Sequence, residues 1–140
     1  MASYSQILDG LHVRLATVSG IKAFLKFEPT AIQTTPTLYS LLAGYERSAS
    51  GQLTAMRYTT LHRLVLQWQD NKQSEAALIG FVNTIPAAID ADQTLAGLAG
   101  VALAKVVRAE SGFLRIGDTT YRVLDVYSET LDKSPYQSGT

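Results

Sequence analysis

The chain has 140 residues, 46% of them hydrophobic and 17% charged, which places it among folded proteins with one core and away from the disordered class. Twelve basic residues balance twelve acidic ones, so the basic excess from which a dedicated duplex-DNA binder draws its affinity is missing. There are no cysteines, which excludes disulfides, thiolate chemistry and cysteine-based zinc sites. No run approaches the ~20 apolar residues of a membrane span. The opening Met-Ala-Ser-Tyr-Ser-Gln has neither the basic nor the apolar region of an export signal, so the expectation is a soluble protein made in the cytoplasm.

The first predicted element is a helix from about Ser3 to Val18. Tyr4, Ile7, Leu8, Leu11, Leu15 and Val18 fall on one stripe at helical spacing. Ser3 followed three residues later by Gln6 matches a capping box, and Ser19-Gly20 marks the end. Ile21 to Phe27 reads as a short strand stopped by Pro29, and a polar loop then runs to Pro36. A second strand is expected at Thr37 to Glu46. The small, polar segment Arg47 to Thr54 reads as a turn or an exposed hairpin arm.

Tyr58 to Trp68 is the longest strand candidate. Leu64, Leu66 and Trp68 share one face, while Leu61 and Val65 lie on the other with Arg63 and Gln67. One strongly apolar face and one mixed face suit a sheet covered by helices on one side, with the other side partly solvated or against a neighbour. A helix over about Lys72 to Ile89 puts Leu78, Ile79, Val82, Ile85 and Ile89 on one side, with Asp70 or Asn71 as N-cap. Pro86 predicts a kink or early stop within it. Val101 to Glu110 reads as a strand. Phe113 to Ile116, Gly117-Asp118 and Thr119 to Glu129 read as a hairpin whose turn residues reach positive φ. The polar stretch from Thr130 is expected to be a mobile tail. The resulting expectation is an α+β domain over residues 1–130, a single mostly antiparallel β-sheet with two amphipathic helices packed on it, and a flexible tail over 131–140.

Candidate chemistry is sparse. His12 and His62 are the only histidines, and neither has the partners a metal site needs, so both read as packed or surface residues. Asp90 and Asp92 lack the ligand spacing of a calcium loop. Gly97 and Gly100 fit no phosphate-cradling pattern. Ser19, Ser48 and Ser50 lack the setting of a nucleophile elbow. Glu75 favours the positive end of the second helix. No catalytic, cofactor or metal residue is assigned, and the expectation is a protein that is not an enzyme.

The layout resembles the phage tail terminator family, also called tail completion or minor tail proteins of long-tailed phages. The resemblance rests on the N-terminal helix with Ile7, Leu8, Leu11 and Leu15, and on Pro36 to Tyr39 followed by a Gly/Ser-rich loop. The long strand ending Leu64 to Asp70, Ser74 to Leu78 opening a helix, the turn Ala91 to Gly97 and the Tyr-rich last strand Thr120 to Glu129 complete it. It covers roughly residues 3 to 130. It implies a structural virion protein that caps the tail tube, stops its polymerisation and provides the joint to the head. Self-assembly into a hexameric ring is implied, with the major tail tube protein on one side and a head–tail connector or stopper protein on the other. DNA would pass through the ring without specific binding, and the protein would reside in the tail or neck of a virion assembled in the host cytoplasm. A head-completion or neck connector protein is the nearest alternative, and a small ligand-binding or enzymatic α+β domain a further one. The segment Arg47 to Met56 is the expected partner surface, with Arg47, Ser48, Ser50, Gln52 and Arg57 as the candidate contacts.

Overall fold

The computed structural model describes residues 3–50, 53–68 and 71–135. Eight elements follow one another: α1 (Tyr4–Leu15), β1 (Ala23–Leu25), β2 (Thr37–Ser50), β3 (Leu53–Gln67), α2 (Asn71–Val82), α3 (Thr84–Asp90), β4 (Val101–Ile116) and β5 (Thr119–Pro135). The strands form one five-stranded sheet in the order β1-β2-β3-β5-β4. Only the β1–β2 pair is parallel; the rest are antiparallel. The chain is therefore α+β, with one mostly antiparallel sheet and its helices packed on one face.

α1 begins as its sequence dictates. The Ser3 hydroxyl accepts from the Gln6 amide while the Gln6 side chain accepts from the Ser3 amide, a complete capping box. Gly20 then takes a φ of +91°, which an L side chain resists, and turns the chain toward β1. The buried stripe Ile7, Leu11, Leu15 and Val18 meets Leu38, Leu64, Leu66, Leu124 and Val126 of the sheet. On the opposite face Tyr39, Val65 and Val123 form a smaller cluster under Ile32 of the Pro29–Pro36 segment.

α1 ends at Leu15 rather than Val18 and β1 spans only Ala23–Leu25, and four further outlines change more. The expected helix over Lys72 to Ile89 is two helices broken at Asn83. Pro86 explains the position: its ring displaces the carbonyl four residues earlier, at Val82, where α2 stops. Because the axis changes there, Ile85 and Ile89 are buried while Ile79 is 62% and Val82 41% exposed. Val82 is therefore not a core residue. Asn71 is already the first residue of α2, and Asp70 lies outside the described residues.

β4 passes through Ser111-Gly112 without interruption, because β5 offers Leu124 and Val123 as ladder partners there and Arg122 Nη1 donates to the Gly112 carbonyl. Val101 to Glu110 and Phe113 to Ile116 are thus one strand. In the hairpin that follows, Gly117 takes the positive φ of the turn.

The segment after Thr130 is not a tail as far as Pro135: it is the end of β5. That strand lies between β3 and β4, so Leu131 and Asp132 have partners on both sides, Arg57 and Met56 on one and Leu103 and Val101 on the other. Ladder hydrogen bonds on two flanks outweigh the polar composition. Residues 136–140 lie outside the described residues. Finally, β3 starts at Leu53 and β2 ends at Ser50, so the segment around Arg47 is the far part of a long hairpin arm.

Candidate partner-binding site

The arm is built by β2 and β3, which stay in register apart from one bulge between Leu42 and Gly44. Arg47 stands opposite Met56, and Arg57 opposite Glu46. Since facing residues share a side and neighbours alternate, Arg47 and Arg57 are on opposite faces of the arm. Both are exposed. The candidate pair therefore does not form one basic patch; Arg57 lies beside an acidic cross-strand neighbour, an arrangement favourable by roughly 0.2–1 kcal/mol. Ser48 and Ser50 lie in β2 opposite Ala55 and Leu53. Gln52 lies outside the described residues.

Two side-chain arrangements escaped the sequence reading. The first joins the two histidines. His12 Nε2 lies 2.9 Å from Ser40 Oγ, Ser40 Oγ 2.7 Å from His62 Nδ1, and His62 Nε2 2.8 Å from Ser128 Oγ. Beside this chain the Tyr4 hydroxyl bonds Thr60 Oγ1 at 2.9 Å. His62 is fully buried, and desolvation together with His12 lowers its pKa to about 3. The His12 pKa is lowered as well, first by burial and then by Lys26. Both rings are neutral at pH 7, and one donor and one acceptor per ring suit an unbroken chain of hydrogen bonds. The arrangement ties α1 to β2, β3 and β5. Its only sequence signal is that Ser40, His62 and Ser128 alternate onto the same strand faces as the core residues Leu38, Leu64 and Val126.

The second arrangement lies on the face without helices. Arg63 Nε and Nη2 bind Asp125 Oδ1 and Oδ2 at 2.7 and 3.0 Å, a two-pronged pair between adjacent strands. The carboxylate raises the Arg63 pKa further. In the next row Arg108 sits 4.0 Å above the Tyr127 ring. This face is mixed in character, as the alternation in Leu61 to Gln67 anticipated.

At the end of the sheet Trp68 meets Phe113 edge-on at 5.5 Å between centroids, and Arg122 covers the same Phe113 ring at 4.7 Å while binding Glu75 at 3.1 Å. Trp68 does not share the buried face of Leu64 and Leu66: it follows the last residue of β3 and is 44% exposed. A cavity of about 370 Å³ lies between β1 and the Pro29–Thr34 segment, lined mainly by apolar groups such as Leu25, Pro29 and Ile32. Among the described residues no group of three or more His, Asp or Glu is arranged to hold a metal ion, and no helix is long and apolar enough to cross a membrane.

Exposed large apolar side chains occur on the helices, at Val13, Ile79 and Val82, beside β3 at Trp68, and at both edges of the sheet. Leu25, Phe27, Leu42 and Tyr45 belong to the β1–β2 edge, while Val107 and Phe113 belong to β4 at the other edge. The molecule is thus an α+β protein built on one sheet, with its helices on one face and apolar side chains at both edges. The sequence matches no protein-family model and no curated protein sequence.

Proposed function

We propose that this chain is a structural subunit of a phage tail, a terminator that assembles into a closed ring, caps the tail tube and presents a joint to the head connector. One observation carries the assembly part of this reading: exposed apolar side chains are present at both edges of the sheet, Leu42 and Tyr45 on one side and Val107 and Phe113 on the other. A surface that matches a different surface of an identical neighbour propagates head to tail, and closes into a ring when the rotation permits. The zero net charge supports a ring through which DNA passes without being held.

Six copies follow from the family resemblance. The β2–β3 arm, with the exposed Arg47 and Arg57 on its two faces, is the proposed contact with the tube or connector subunit, together with Ser48, Ser50 and Gln52 of the same stretch of sequence. The test is the native mass of the purified particle together with an end-on image of its symmetry. A ring that shortens tube polymers when added to tube protein supports the reading; a monomer that leaves tube length unchanged overturns it.

A further inference from the structure

The outer edges of the sheet are open over most of their length. β1 pairs with β2 only at Thr37, Leu38 and Tyr39, so among the described residues no strand flanks β2 from Ser40 to Ser50 on that side. β4 is the last strand at the opposite side and has β5 as its one ladder partner among the described residues. Its outer edge is occupied at Ala104 and Val106, whose N–H groups donate to the Gln93 carbonyl and the Asp90 carboxylate, and is open from Val107 to Ile116. An open strand edge displays main-chain donors and acceptors and is a template for another strand.

Strand direction restricts which edges fit. β2 runs antiparallel to β3, β3 to β5, and β5 to β4, so β2 and β4 run in opposite senses. If a second copy is placed beside the first by rotation about an axis along the strands, every strand keeps its sense. β4 of one copy then meets β2 of the next antiparallel, the more stable of the two pairings.

Side chains on the two edges differ in size in a complementary way. On the helix-bearing face β2 presents the large Leu42 and Tyr45, whereas β4 presents the small Ala109 and Ser111, both exposed. On the other face β2 carries Glu46 opposite Arg57, and β4 carries Lys105 and the Arg108–Glu110 ion pair.

We propose that β4 of one copy docks antiparallel on the Ser40–Ser50 edge of β2 in a second copy, so that the sheet continues through the contact. This rests on the ring reading above and assigns its interface. The natural chain has no cysteine, so disulfide scanning has no background. Leu42→Cys or Tyr45→Cys is combined with Ala109→Cys, Ser111→Cys or Phe113→Cys, all at exposed positions where facing residues of an antiparallel pair come within disulfide reach.

After oxidation and denaturation, covalent dimers and higher multimers from at least one double variant, with neither parent single variant cross-linking, are the expected result. Covalent dimers from a single β4 variant would show that edge meeting its own copy, and would overturn the proposal. A particle of ring mass whose double variants all remain monomeric after denaturation would overturn the edge contact and leave the ring reading standing. A monomer by native mass would remove both.

Discussion

Ser40 Oγ stands between two imidazoles, 2.7 Å from His62 Nδ1 on the neighbouring strand and 2.9 Å from His12 Nε2 on the overlying helix. A serine hydroxyl donates one proton, so it donates to one ring and accepts from the other; the neutral state of both rings is what makes the chain continuous.

Stability should therefore fall in acid in a defined window. The His62 pKa is about 3 in the folded chain against an ordinary 6.5. Above pH 6.5 neither state binds the proton. As pH falls below 6.5 the unfolded chain becomes protonated while the folded chain does not, and stability is lost at about 1.4 kcal/mol per pH unit, until pH approaches 3. The lowered His12 pKa acts in the same direction. Urea midpoints measured at pH 7.5, 6 and 5 should decline in that order, and His62→Gln, which keeps hydrogen-bonding groups but does not titrate, should flatten the decline.

Removing one member of the Arg63–Asp125 pair should cost more than removing both. Both side chains are largely buried, at 21% and 14% exposure, so Asp125→Ala leaves a desolvated guanidinium without its carboxylate. A loss of roughly 1–3 kcal/mol is expected in chemical denaturation, partly recovered in the Arg63→Leu/Asp125→Leu double variant.

Two positions on α1 should behave in opposite ways under the same substitution. Leu11 is fully buried among the sheet residues of the main core, and Leu11→Ala should destabilise by about 2–5 kcal/mol. Val13, two residues on, is 64% exposed, and Val13→Ala should change the denaturation midpoint by no more than about 0.5 kcal/mol equivalent. Equal losses at both would mean that α1 lies on the sheet in a different rotation.

The turn before β4 holds consecutive non-glycine residues at positive φ, Leu95 at 51° and Ala96 at 60°. Leu95 is buried and cannot be exchanged freely, but Ala96 is exposed, and its amide donates to the Asp92 carboxylate at 2.7 Å. Ala96→Gly should relieve the backbone strain and raise the thermal midpoint, a gain of roughly 0.5–1 kcal/mol. That hydrogen bond also lowers the Asp92 pKa, so the gain should persist at neutral pH and shrink once Asp92 is protonated.

Much of the architecture was determined by the sequence itself, since it depends on local chemistry. The Ser3–Gln6 capping box, the left-handed Gly20, the alternation of Leu64 and Leu66 against Val65, and the positive φ of Gly117 each follow from a few adjacent residues and took their expected places. α1 nonetheless ends at Leu15, short of Gly20, and Asp118 does not share the positive φ of the turn. The class of the fold followed from their order. What tertiary structure alone decided depends on partners far away in the chain. Leu131 and Asp132 are strand because β3 and β4 flank them, and Lys133 to Pro135 because β3 does, whatever their polar composition suggests. Val82 is exposed because a proline four residues later ends its helix and redirects the stripe. Arg47 and Arg57 share a sequence neighbourhood and yet occupy opposite faces, since one register sets both. The meeting of His12 with Ser40, His62 and Ser128 spans four elements, and hydrogen bonds between residues so distant arise only when the helix is laid on the sheet.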